Sequence, residues 1–188
     1  FSRFSIPLVG LIHPGAQAAL NVTKNYRIGV AATERTVNSH AYKRELNNYY
    51  KLSKNVRPNQ LPLQVFEVAC PEFVPLVESG KTDGPEVKAA VRKYLQELKG
   101  QNIDTLIHGC THYPFLEKEM RAFLGDVQFV DPAVDTVREA VEILREAGIL
   151  SGAKKPTYEY LISKIEGGQY VRVDGREYFC SRTPTYRK

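Results

Sequence analysis

Cysteine is scarce in this chain, and its placement excludes most structural uses. The three cysteines, Cys70, Cys110 and Cys180, are odd in number and widely spaced. They cannot supply the disulfide framework of a small secreted domain, and no two stand close enough for a CxxC metal site. A reducing cytoplasm is the expected compartment. No apolar run approaches the roughly eighteen residues of a membrane span, so no membrane partner is expected. The opening FSRFSIPLVGLIHPG lacks the basic start and small-residue cleavage site of a signal peptide. It also lacks a methionine, so the natural N-terminus is read as lying upstream of Phe1. Excess charge is lacking too: the net charge is +5. Arg172, Arg176, Arg182, Arg187 and Lys188 gather near the end and read as a solvated tail. No recognisable nucleic-acid module accompanies them, so no nucleic-acid partner is expected. There are no internal repeats and no low-complexity tract.

What remains is an ordinary globular composition. The 188 residues are 43% hydrophobic and 25% charged, enough to bury a sizeable core without staples. Apolar strands are expected over residues 6–12, 26–33, 61–69 and 104–110, with a short fifth in VQFVDP. Helices are expected over 16–24, over TVNSHAYKRELNNYY opened by Thr33 or Thr36, over 85–100, in FLEKEMRAFLG and in VDTVREAVEILREAGIL. The 85–100 segment carries proline in its first turn and glycine at its stop. Strands alternating with helices specify an α/β fold, a parallel sheet flanked by helices. Beyond Ser151 the pattern changes. SGAKKP reads as a linker, YEYLISKIEGG as a short helix, and QYVRVDGREYF as a hairpin about Asp174-Gly175.

In parallel sheets, reactive groups collect in the crevice at the carboxyl ends of strands. Four loops qualify: HPG, ATERT, ACPEF and GCTHYP. The last, within LIHGCTHYPF, is the densest. Cys110 follows Gly109, where a ligand can approach the backbone closely, and precedes Thr111, His112 and Tyr113. A following helix N-terminus would favour a thiolate, placing the thiol pKa below its reference of about 8.5. His112 would exchange protons with the thiol or stabilise its ionised form. The alternatives are a buried, inert cysteine, or a metal site using His108 and His112, for which no second ligand cluster is present.

GCTHYP resembles the second-cysteine motif of glutamate racemase, in the aspartate/glutamate racemase superfamily. IPLVGLIHPGAQAAL, RIGVAATERTVNSHAY and ACPEFVPLVESG resemble further blocks of that family, in the family's order. The resemblance covers about residues 6–150. It implies cofactor-independent racemisation of glutamate, with no metal, by two cysteines that flank the α-carbon. That activity would supply D-glutamate for bacterial peptidoglycan. By motif, Cys110 is one of the two acid/base cysteines. Thr111 and His112 match the substrate-contacting pair, with His112 also assisting Cys110. Glu78 matches an acidic residue acting near that histidine, against the alternative of a surface carboxylate. Thr33 and Thr36 match a loop that binds the substrate carboxylate, against the alternative of helix capping. Cys70 is read as structural.

The family's first half-site, with its Cys-Asn-Thr motif, has no counterpart, since no cysteine here precedes an asparagine. The chain therefore resembles the carboxyl-terminal part of such an enzyme. Residues 1–130 would form the second α/β domain, and 131–188 a return helix and a poorly matching tail that normally pack on the first domain. Little racemase activity is expected of this chain alone, and Cys180 is a poor substitute for the absent thiol. Exposed apolar surface would then favour self-association, so a homodimer is among the expected states. Two other readings stay open. One is a single-cysteine decarboxylase or isomerase of the same superfamily; the other is a non-catalytic α/β binding or oligomerisation module.

Overall fold

The computed structural model describes residues 7–54, 61–152, 155, 161–166 and 169–174. Four strands, β1 (Arg27–Ala32), β2 (Gln64–Ala69), β3 (Thr105–Gly109) and β4 (Gln128–Val130), form one parallel sheet in the order β2-β1-β3-β4. The central strands are apolar on both sides. From β1, Ile28, Val30 and Ala32 face α1 (Ile12–Val22) and α3 (Ala41–Lys54), joining a core with Ala16, Ala19, Tyr42 and Leu46. Ala31 faces the opposite core with α4 (Phe73–Glu78), α5 (Pro85–Gly100) and α6 (Glu117–Leu124). This is the two-sided burial that parallel strands require.

α5 shows how sequence sets this packing. Val87, Ala90, Val91, Leu95 and Leu98 are buried at helical spacing, a single apolar stripe against the sheet. Leu95 and Leu98 alone are worth about 1.5–3 kcal/mol each relative to exposure. Asp104 fastens the base of the sheet to the end of α1. Its carboxylate accepts from the Thr23 hydroxyl at 2.6 Å, from the Lys24 and Asn25 backbone N–H groups at 2.6 and 2.7 Å, and from the Thr105 hydroxyl at 2.9 Å. At the sheet's other end, Gly15 meets α7 (Pro132–Glu146): a Cβ at Gly15 would lie 2.8 Å from Pro132 Cγ. Only Pro132 of α7 is buried, while Val134 and Val137 are 49% and 62% exposed.

Several expectations need correction. No strand forms in the described part of 6–12: residues 7–10 are irregular and Ile12 already begins α1. Leu8 and Leu11 point to the surface at 49% and 38% exposure. His13-Pro14-Gly15 is therefore the first turn of a helix rather than a strand-end loop, and proline is well placed there. The helix expected over TVNSHAYKRELNNYY is divided. α2 (Glu34–Ser39) ends at His40, which takes a left-handed conformation at φ 50° before α3 starts. The expected helix in YEYLISKIEGG is instead β5 (Leu161–Glu166), paired antiparallel with β6 (Gln169–Asp174). The register sets Glu166 opposite Gln169; the hairpin expected about Asp174-Gly175 runs from Asp174, the end of β6, into residues outside those described. Ile162 and Ile165 are β-branched and favour a strand, which outweighs the weak helical spacing. Gly175, Arg176, Cys180 and the tail to Lys188 lie outside the described residues.

Candidate active site

The carboxyl ends of β1 and β3 lie side by side, with Ala32 opposite Gly109. A Cβ at Gly109 would come within 2.6 Å of Ala32 Cβ and 2.9 Å of the Ala31 carbonyl oxygen. Only glycine lets the two strand ends approach so closely. The loop after β3 is tight: the Tyr113 N–H donates to the Cys110 carbonyl at 3.1 Å, opening a 3-10 turn (Tyr113–Leu116). This turn, and not an α-helix N-terminus, is the element that comes directly after the thiol.

Tyr113 ties this loop to α4. Its ring packs edge-on against Phe73 at 5.0 Å, and its buried hydroxyl donates to the Cys70 carbonyl at 2.9 Å. Those contacts hold the start of α4 against the loop, and the short helix carries Glu78 as its last residue. His112 Nε2 lies 2.6 Å from Glu78 Oε1, and His112 Nδ1 lies 3.8 Å from Cys110 Sγ. A carboxylate can only accept, so Nε2 carries the proton and Nδ1 is left to accept from the thiol. Three expected site residues thus form one line: carboxylate, imidazole, thiol.

Thr111 and Thr36 meet Cys110 at a cavity of about 270 Å³, bounded also by Tyr42, His108, Asp131 and Pro132. Thr33 takes a different part. Its hydroxyl caps α2, accepting from the Thr36 N–H at 3.4 Å, and stands 3.1 Å from the Thr36 hydroxyl. The cap holds Thr36 at the cavity wall. Tyr42 and Asp131 escaped the sequence reading. Asp131 follows β4 and obeys the same strand-end rule; Tyr42, the second residue of α3, carries no such signal.

The thiol pKa runs against expectation. Burial pushes Cys110 up, and a hydrogen bond from the His112 backbone N–H opposes this only partly. The half-buried loop removes water from the thiolate without offering a helix terminus in exchange. Cys70 is fully buried and its thiol is also pushed up by burial; it contacts the Val68 carbonyl at 3.8 Å. His108 and His112 address different carboxylates, Glu117 and Glu78. Among the described residues no three His, Cys, Asp or Glu side chains gather as metal ligands, and no helix is long and apolar enough to cross a membrane.

The chain is similar to known proteins in sequence and in structure. The chain is 48% identical over 145 residues to a glutamate racemase from Desulforudis audaxviator, covering 76% of this chain and 50% of that protein. It is 41% identical over 162 residues to glutamate racemase 2 of Caldanaerobacter subterraneus, covering 86% and 58%. In structure it is similar to a glutamate racemase from Francisella tularensis in complex with D-glutamate, with a TM-score of 0.72 at 29% identity over 87% of this chain and 57% of that one. The chain spans about half the length of the curated relatives it matches. The profile of the Asp/Glu/Hydantoin racemase family matches residues 2–143, and on that match the chain belongs to this family.

Proposed function

We propose that this chain supplies one acid/base face of a glutamate racemase, with Cys110 as its proton carrier. The observation that carries the reading is the line from Glu78 through His112 to Cys110. Relatives named as glutamate racemases support the substrate.

The α-proton of glutamate is weakly acidic, so its removal needs a base held in contact and donors placed for the developing charge. His112 takes the thiol proton at Nδ1, and Glu78 stabilises the imidazolium at Nε2. The Cys110 thiolate then removes the α-proton: the C–H bond breaks, an S–H bond forms, and the electron pair stays on the substrate as a carbanion. A thiol on the opposite face returns a proton with inverted configuration. In the reverse direction Cys110 is the donor. A thiol pushed up by burial is a strong base once ionised; in the donor direction it is protonated at neutral pH and gives its proton to a carbanion far more basic than itself. Thr111 and Thr36 line the cavity as substrate donors, and Thr33 holds Thr36 through the α2 cap.

The opposing thiol belongs to a Cys-Asn-Thr segment, and no cysteine of this sequence precedes an asparagine. In this reading the region from Asp131 onward packs against the domain that carries that segment. The product would be D-glutamate for peptidoglycan, made in the cytoplasm.

The test is circular dichroism of L-glutamate incubated with the chain and with C110S. Little racemisation by either is expected. Robust, Cys110-dependent racemisation by this chain would refute the division of the site into halves. Thermal melting with D- and L-glutamate checks the substrate independently, and no shift at saturating glutamate would sink that assignment.

A further inference from the structure

Several charged side chains around α5 and α6 are paired: Lys81 with Glu86, Lys93 with Glu72, and Arg121 with Glu117. Glu119 differs. It is only 7% exposed, and it makes no hydrogen bond or ion pair with any described residue. Its oxygens are not sealed off. The side-chain atoms buried without a partner among the described residues are Glu67 Oε1 and His108 Nδ1, so the surface that Glu119 keeps includes its carboxylate. That surface opens on a cavity of about 150 Å³ between α5 and α6, lined by Lys88, Val91, Arg92, Glu119, Ala122 and Phe123. The cavity shares no residue with the one at Cys110.

Helical spacing sets this lining. Lys88 and Arg92 stand one turn apart on α5, and Glu119 and Phe123 one turn apart on α6, so each pair shares a face. Val91 is buried, and the Arg92 guanidinium lies over the Phe123 ring, 5.7 Å from its centroid. The charges do not cancel. Lys88 and Arg92 are like charges at i, i+4, which repel, and neither forms an ion pair among the described residues. A buried carboxylate without a partner is costly. One wall therefore calls for a cation and the other for an anion. With two positive charges and one negative on the walls, the ligand that balances them carries one positive and two negative. We propose that this cavity binds an acidic α-amino acid, with its ammonium on Glu119, its carboxylates on Lys88 and Arg92, and its methylenes over Val91 and Phe123. The size agrees: drug-sized ligands take roughly 300 Å³ or more, and an amino acid is much smaller.

The site stands whether or not Cys110 acts on glutamate. The test is an NMR titration of the full chain with L-aspartate and L-glutamate, read at the amides of residues 88–92 and 119–123. The amides of Cys110 and Thr111 report the other cavity, so failure of either site is seen apart from the other. Saturable shifts at 88–92 and 119–123 are expected with both amino acids. Glutarate, which lacks the ammonium, and inorganic phosphate are expected to bind about tenfold more weakly, as loss of one charged contact implies. E119Q and R92Q should each weaken amino-acid binding by a similar factor. No saturable shift at these amides, or an unchanged affinity in E119Q, overturns the proposal. Glutarate or phosphate binding as tightly as aspartate also overturns it and marks a plain cationic patch. Melting without ligand gives a second reading. E119Q removes a buried charge that lacks a partner, so its Tm is expected to match or exceed the parent's. A lower Tm would show Glu119 already paired with Lys88 or Arg92 and closed to a ligand's ammonium.

Discussion

His112 Nε2 lies 2.6 Å from Glu78 Oε1, joining the β3 loop to the end of α4. Both side chains are about one-third exposed, at 31% and 37%, so the pair orients more than it stabilises. Its removal is expected to act on Cys110 rather than on the fold. E78Q should slow alkylation of Cys110 at neutral pH about tenfold, as loss of one charge-assisted hydrogen bond implies, with little change in Tm. A large drop in Tm with unaltered thiol reactivity would reverse that assignment.

Gly109 is the tightest point of the site. G109A places a methyl group against Ala32 and the Ala31 carbonyl, with no flexible side chain able to yield. Urea denaturation should show a loss of about 1–3 kcal/mol, the usual cost of overpacking. A neutral G109A would mean that β1 and β3 separate easily.

The raised thiols fix the sign of the alkaline response. Cys110 and Cys70 are both pushed up by burial, so the unfolded chain releases these protons first. Their contribution to stability is present below the unfolded pKa of about 8.5 and is lost as pH rises beyond it. Alkylation of native Cys110 should likewise have its midpoint above that of a free thiol. A midpoint below the reference would restore the activated thiolate expected from the sequence.

His108 sets the opposite limb. Burial lowers its pKa despite Glu117. Above the unfolded value of about 6.5 the ring is neutral in both states, and stability falls as pH drops below it. Denaturation between pH 7 and 5 should show that loss in the parent and a flatter profile in H108Q.

Asp104 controls the base of the sheet. Burial raises its pKa, but the bonds from Thr23, Asn25, Lys24 and Thr105 prevail and hold it low. D104A removes the acceptor for all four. A loss of about 1–3 kcal/mol is expected in denaturant titration, within the range for donors left unpaired.

Most of the layered fold was legible because its signals are local and redundant. α5 announces itself by stripe, proline and glycine together. Where one signal stood alone, it misled. The apolar run before His13 had strand-like composition but no partner strand, and its leucines turned outward. Ile162 and Ile165 favoured the strand β5, and helical spacing obscured it. At the site, the strand-end rule found the loops of Cys110 and Thr36 because the chain's path makes them adjacent. It could not find Tyr42, which reaches the cavity from a helix flank. Nor could it give the direction of the Cys110 shift, which depends on burial and on the 3-10 turn that stands in place of a helix terminus.

The pairing of β1 with β3 also bears on how the domain assembles. Ala32 and Gly109 meet only after β2, α4 and α5 have been placed between them in the chain. Contacts so distant in sequence repay their loop-closure entropy late. The surroundings of Cys110 are therefore expected to form among the last, after helices such as α5. In a refolding experiment, protection of the Cys110 thiol from alkylation should trail the recovery of helical signal and serve as a clock for completion of the domain.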